Sequence, residues 1–182
     1  ALPDVRRLLF EGQNEEATNL AAATMMGIPD RIDSYQTLGD LSLKMESAGV
    51  GQYRRELDLD TAIATSVFTR DGATITREVF ASEPDQVIVV HMRSSKPGAI
   101  DASIGLSRPK DAMCVSEGRD RLVMSGRIDR THHETQEPVG MRFEARAAVE
   151  QSGGRIENAG GTLVVSGADR VTIRIAAATD FR

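Results

Sequence analysis

The sequence has one cysteine, no tryptophan and few aromatic residues, which make up 4% of the chain. A lone Cys114 excludes an intramolecular disulfide. No apolar run approaches the roughly 18 residues of a membrane-spanning helix, and no charged-then-apolar signal peptide opens the chain. Basic residues are outnumbered, with 22 Lys and Arg against 27 Asp and Glu and a net charge of −5. Because phosphate binding needs a clustered Lys and Arg surface, we expect no nucleic-acid partner, and we expect no membrane partner either.

Size and composition predict one globular domain over residues 1–182. The chain is 40% hydrophobic and 27% charged, which is typical of a folded domain that buries about 70% of its unfolded surface. A core of that size needs no disulfide or metal, and we expect no cofactor. The first residue is Ala1 rather than Met, which indicates a processed chain or an excised part of a longer one. The sequence leaves the compartment open.

Residues 1–30 have the pattern of a helical lead-in. Pro3 suits the first turn of a helix, and an apolar repeat at helical spacing follows before Gly12. Asn14 is predicted to cap a second helix. The apolar stripe of that helix comprises Ala17, Leu20, Ala21, Thr24 and Met25.

From Gly39 onward the hydrophobic period changes from 3.6 to 2, which predicts strands. Asp71-Gly72 lies between two β-rich runs, Thr61–Arg70 and Ala73–Ser82, and predicts a hairpin. Val87–Val90 is apolar on both faces, so we expect a central strand covered on both sides. About ten short strands at hairpin spacing predict an antiparallel β-sandwich over residues 39–182. The fold class is therefore mainly β with a short helical segment at the N-terminus.

Three acids, Glu56, Asp58 and Asp60, alternate along one predicted strand. On one face of a strand such neighbours lie about 6.6 Å apart, near the lower end of the roughly 6.5–9.5 Å that separates the carboxylates of inverting glycoside hydrolases. A solvated, ion-paired face gives the same pattern, with Arg54 and Arg77 as neutralising partners, and we favour it over a catalytic or metal-binding pair.

The remaining candidates for chemistry are His132-His133-Glu134, His91 and Cys114. The His-His-Glu run lacks Cys or His partners at ligand spacing, so a solvated loop is favoured over a metal site. His91 follows a buried run and is expected to be hydrogen-bonded and partly buried. Cys114 has no adjacent His signature and is expected to be a small buried hydrophobe rather than a nucleophile. The residues alone therefore predict no catalytic constellation and no metal site.

Four segments in sequence order carry a resemblance to a known family: Ser34–Leu41, Tyr53–Ala62, Thr76–Ser82 and Asp85–Val90. Together they resemble the N-terminal β-sandwich domain of the α-L-fucosidases of glycoside hydrolase family ninety-five. The opening Leu2–Gly12 is similar to the segment just upstream in that family. The resemblance covers essentially the whole chain and is strongest over residues 1–93.

This resemblance implies a β-supersandwich domain that precedes an (α/α)₆ helical barrel in the same polypeptide. The catalytic acid and base of the family lie in that barrel, so none of them maps onto this sequence. The expected partner is accordingly the C-terminal catalytic barrel of the same parent chain, and carbohydrate is contacted indirectly. The resemblance thus predicts a non-catalytic domain that packs on and orients a helical catalytic domain.

Tyr35 and Gln36 are the one candidate contact with substrate or with the catalytic domain. A Tyr next to an amide can stack on a sugar ring and hydrogen-bond to its hydroxyls, or pack against a neighbouring domain. The simpler alternative, which we favour, is that both side chains anchor the crossover from helix to sheet.

An autonomous carbohydrate-binding module is the main alternative function. Such modules present aromatic platforms, whereas this chain lacks Trp, and Phe68, Phe80 and Phe143 occupy core-like strand positions. An excised domain would leave a sheet edge or an apolar patch uncovered, so we also expect self-association.

Overall fold

The computed structural model describes residues 1–27, 34–46, 49–131 and 135–181. The chain divides into two compact units, Ala1–Thr37 and Leu38–Arg182. The organisation of residues 1–182 as a single domain stays a prediction. In the described part of the chain, no helix is long and apolar enough to cross a membrane.

In the first unit, the part of the chain that the structure describes forms two helices, α1 at Leu2–Phe10 and α2 at Asn14–Met25. The helices pack on each other through the buried side chains of Val5 and Ala17, which both lie on the predicted apolar stripes. The prediction of Asn14 as the cap is wrong. Gln13 is the N-cap, because its carbonyl accepts the first intrahelical hydrogen bond from Ala17 N at 3.0 Å and Asn14 is already helical.

The described residues of the second unit form twelve strands, which confirms the predicted mainly-β fold class. Their bounds are β1 Asp40–Lys44, β2 Val50–Asp58, β3 Ile63–Arg70, β4 Ala73–Ser82, β5 Val87–Ser94, β6 Ile100–Ser107, β7 Ala112–Glu117, β8 Arg121–Arg127, β9 Arg142–Ser152, β10 Arg155–Asn158, β11 Thr162–Ala168 and β12 Arg170–Thr179. A four-stranded sheet has the order β1-β6-β11-β10, and an eight-stranded sheet has the order β2-β3-β4-β5-β12-β9-β8-β7. Every neighbouring pair is antiparallel, so the two sheets form an antiparallel sandwich.

The predicted hairpin at Asp71-Gly72 is confirmed. Arg70 pairs with Ala73, which leaves a two-residue turn between β3 and β4. Both turn residues have positive φ, 49° at Asp71 and 73° at Gly72. This backbone conformation matches the right-handed twist of the flanking strands and explains why Asp-Gly closes the turn.

The core lies where the four-stranded sheet covers the eight-stranded one. Its fully buried members include Ile104 and Leu163 from the smaller sheet and Leu122, Val171 and Ile173 from the larger. We call the core-facing side of the larger sheet its inner face and the opposite side its outer face. Along β9 the alternate residues from Phe143 to Val149 are all buried on the inner face, as their period of 2 predicts.

Strand β5 is central in the larger sheet, as predicted, but it is not covered on both sides. Val90 and Met92 are buried on the inner face, whereas Val89 on the outer face is half-buried and Ile88 is 47% exposed. The reason is that four strands face eight, so the smaller sheet covers one face of the larger sheet and only part of that face.

Candidate functional site

An apolar cleft of about 530 Å³ opens at one end of the sandwich, between the start of β1 and the inner face of the larger sheet. Its walls include Leu38 and Leu41 on one side and Ile88, Ile175 and Ala177 on the other. Among the described strands, β1 is the outermost of the smaller sheet, so one edge of its backbone has no strand partner there beside this cleft. The cleft can accept an apolar side chain or segment.

Tyr35 and Gln36 lie in an irregular segment of the first unit. The Tyr35 side chain is fully exposed, and Gln36 is also exposed. An exposed ring does not serve as a packing anchor. The structure therefore gives no support to the alternative in which Tyr35 anchors the crossover from helix to sheet. The assignment of both residues to a substrate rim or a domain contact stays a prediction.

The three alternating acids do not share one strand face. β2 ends at Asp58, whose Oδ1 accepts hydrogen bonds from the backbone N–H of Asp60 at 2.9 Å and of Thr61 at 3.2 Å. These bonds place Asp60 in the turn after the strand, which corrects the expectation that all three acids lie in β2. The hydrogen bonds from Thr61 and Asp60 also hold the pKa of the exposed Asp58 carboxyl below its usual range.

Ion pairs occupy the outer face of the larger sheet. Glu56 pairs with Arg54, as expected for a solvated, ion-paired face. Arg77 projects to the inner face, so the expectation that it also neutralises these acids is wrong. Arg174 binds Glu150 through two parallel bonds of 2.6 and 3.0 Å. The hydrogen bonds and charge of Arg174 lower the pKa of Glu150. Such ion pairs are typical of a solvated surface and not of a catalytic pair of carboxylates.

The described candidates His91 and Cys114 each contact neighbouring residues of the fold. His91 is half-buried, with Nδ1 3.0 Å from Thr172 Oγ1, as expected. Cys114 is half-buried against the core, and its Sγ lies 3.8 Å from the carbonyl oxygen of Gly161. His132-His133-Glu134 lies outside the described residues. Among the residues that are described, no group of three or more His, Cys, Asp or Glu side chains could hold a metal ion.

One surface feature escaped the sequence reasoning. The rings of Tyr53 on β2 and Phe68 on β3 stack at a centroid distance of 6.4 Å and an interplanar angle of 27°. Phe143 is buried and Phe68 packs against the core, whereas Phe80 is half-buried on the outer face. In the sequence, the alternation of Tyr53, Arg55 and Leu57 indicates that the three side chains share one face of a strand. It does not indicate whether a second sheet covers that face.

The comparisons with known proteins give a family for this chain and three relatives. The family model described as "Glycosyl hydrolase family 65, N-terminal domain" matches residues 1–182. Alpha-L-fucosidase 2 of Arabidopsis thaliana is 33% identical over 201 residues, which cover 100% of this chain and 24% of that protein.

Two fungal relatives are similar over most of this chain. "Probable alpha-fucosidase A" of Aspergillus niger is 29% identical over 150 residues, which cover 82% of this chain and 18% of the relative. The protein of the same name from Aspergillus oryzae is 28% identical over 167 residues, which cover 85% of this chain and 21% of the relative. The chain thus spans a quarter or less of the length of these curated relatives.

Proposed function

Since the chain belongs to the glycosyl hydrolase family 65 N-terminal domain family, we propose that it is the non-catalytic N-terminal β-sandwich domain of an α-L-fucosidase-like glycoside hydrolase. In this role it packs on and orients a C-terminal (α/α)₆ catalytic barrel of the same parent chain. Tyr35 and Gln36 contribute to the contact with that domain or to the rim of its substrate pocket. Carbohydrate is contacted indirectly.

The observation that carries this proposal is the family match over residues 1–182, joined by three relatives named as α-fucosidases. The state of the acidic residues supports it. Glu56 is engaged by Arg54 and Asp58 by the turn that follows β2. Both carboxylates are exposed, and the pKa of Asp58 is held below its usual range, which is opposite to what a general acid needs near neutral pH.

An activity assay tests the proposal. The chain alone and the longer polypeptide encoded by the same reading frame are each incubated with an aryl α-L-fucoside. We expect turnover by the longer polypeptide and none by the chain alone, because the catalytic groups lie in the barrel.

Two results would contradict this assignment. The first is a reading frame without a helical-barrel region downstream. The second is turnover by the purified chain alone. If Asp58→Ala abolishes that turnover while Asp120→Ala, a change at another acid outside β2, does not, the activity belongs to the sandwich itself.

A further inference from the structure

Part of the inner face of the larger sheet is left without a facing sheet. The pairing register places Arg55 opposite Ser66 and Leu57 opposite Ala64, and it places Ser66 opposite Arg77. These residues continue the rows of the buried core, since Arg77 pairs in turn with Met92, which is 1% exposed. Toward the β2 edge the same face becomes exposed. We call this surface the open face; it comprises Tyr53, Arg55, Leu57, Phe68, Arg77 and Val79.

Large apolar side chains on the open face are exposed to solvent. Leu57 is 60% exposed and Tyr53 is 58% exposed. Leu57 pairs with Ala64, and Tyr53 stacks on Phe68, which pairs with the buried Ile75, so both project to the side of the sheet that forms the core elsewhere. Stacking on the half-buried Phe68 fixes the Tyr53 ring before any partner arrives. A pre-positioned aromatic ring and a neighbouring aliphatic side chain are typical of the centre of a protein–protein interface.

The open face also carries two arginines, and no acidic side chain among its described residues opposes them. In the described chain, neither Arg55 nor Arg77 forms an ion pair, and Arg77 instead lies 3.4 Å from the Ser66 hydroxyl, a side chain that is 6% exposed. The acids of the same strands, Glu56 and Glu78, project to the outer face, where both flank Thr65. An arginine that becomes buried at an interface needs a carboxylate partner.

We propose that the open face docks the catalytic domain of the same polypeptide, through an apolar patch on that domain which carries carboxylates. Apolar side chains cover Tyr53 and Leu57, while the carboxylates bind Arg55 and Arg77, which stand two strand spacings apart, about 9.6 Å. This inference rests on the proposed function. It adds the face that makes the contact and the chemistry of the partner surface.

Charge complementarity selects this occupant over the others. A second copy of the chain docked symmetrically would bring the arginines of both copies together, which is repulsive. A neutral sugar would bury Leu57 and Val79 against its hydroxyls and leave the arginines without carboxylates.

Cysteine labelling tests the docking face in the protein as it exists. In a Cys114→Ser background, Leu57→Cys is placed on the open face and Met113→Cys on the outer face of β7, where Met113 is 69% exposed. Maleimide labelling of each site is followed by peptide mass spectrometry in the chain alone and in the longer polypeptide. We expect the Leu57→Cys thiol to react at least about tenfold more slowly in the longer polypeptide, and the Met113→Cys thiol to react at the same rate in both.

Charge reversal tests the chemistry of the partner. Adding Arg55→Glu to the Leu57→Cys polypeptide should restore fast labelling, because the carboxylates then meet a like charge. The matched control is Arg93→Glu on the outer face of β5, which should leave the protection intact. Circular dichroism confirms that each variant is folded.

The outcomes separate this inference from the proposed function. If the longer polypeptide hydrolyses the fucoside but labels as fast at Leu57→Cys as the chain alone, the docking face is wrong and the function stands. If no barrel domain is encoded, both fail. Protection of Leu57→Cys in the longer polypeptide that is lost on dilution assigns the face to a second copy, and protection of the chain alone by an oligosaccharide assigns it to a glycan; either result overturns the inference.

Discussion

At the scale of single residues, Asp58 is fixed by local hydrogen bonds. Its carboxylate accepts the N–H groups of Thr61 and Asp60, and these bonds favour the charged form over the protonated one. Because the pKa is lowered on folding, the stabilisation is complete above the ordinary pKa of an aspartate. It is lost as the pH falls through the lower pKa of the folded state.

We therefore predict that the Asp58 carboxyl titrates below the ordinary aspartate range. The measurement is a pH titration of side-chain carboxyl ¹³C shifts by NMR, and a short peptide spanning the same turn provides the unfolded reference for Asp58. Asp58→Ala should remove the turn hydrogen bonds and raise amide exchange at Thr61, whereas Asp58→Asn retains an acceptor and should raise it less. Titration of Asp58 within the ordinary range would contradict the turn geometry.

At the scale of elements, the β3–β4 hairpin depends on the backbone conformation of its turn. Gly72 has a φ of 73°, where an added Cβ is strained. We predict that Gly72→Ala lowers the free energy of unfolding by about 1–2 kcal/mol.

Urea denaturation measures the effect of this change, and Gly49→Ala is the matched control. At Gly49 no heavy atom of the described residues lies within 4 Å of an added Cβ. The control should thus stay within about 0.5 kcal/mol of the unsubstituted chain. Equal effects of the two substitutions would show that the turn does not require glycine.

The β2 edge of the larger sheet is protected by its own sequence. β2 is an edge strand with a register shift between Gly51 and Arg54 and with charges at Arg54, Glu56 and Asp58. Bulges and charges on an edge oppose strand-to-strand pairing between copies. Any contact between copies is therefore expected to use the open face or the cleft rather than this edge.

At the scale of the whole molecule, self-association of the chain stays a prediction. The structure indicates which surface would make the contact and whether salt should strengthen or weaken it. Exposed apolar residues such as Leu57 and Ile88 favour contact between copies. Arg55 and Arg77 oppose it, and salt screens their repulsion. Sedimentation velocity of the chain alone should thus show weak association that strengthens from low to high ionic strength. A chain that sediments as a monomer at every concentration and salt level would exclude it.

Sequence patterns of short range predicted the fold well. The alternation along β9 and the Asp-Gly turn each depend on neighbours a few residues apart, and both are confirmed. Predictions failed where they depended on the exact end of an element or on strand pairing. Gln13 replaces Asn14 as the cap, Asp60 lies beyond β2, and Arg77 faces away from the acids.

The candidate site was less accessible to sequence reasoning than the fold. Tyr35 was singled out as one of 2 tyrosines in the chain, and the structure shows its ring exposed without placing it against a partner. Tyr53, the other tyrosine, belongs to no motif that the sequence marks as a site. Its importance depends on the stacking partner Phe68, 15 positions later in the chain, and on the absence of a facing strand among the described residues.

The sequence by itself determined the class of this protein: few aromatics, one cysteine, a period of 2 from Gly39 onward and segments that resemble a known domain. Those features are local, since side-chain alternation and turn chemistry act between near neighbours. The tertiary structure alone decided which faces are covered. Eight strands opposed by four leave Tyr53, Arg55 and Leu57 on a core-type face in water, because coverage depends on strand pairings between distant parts of the chain.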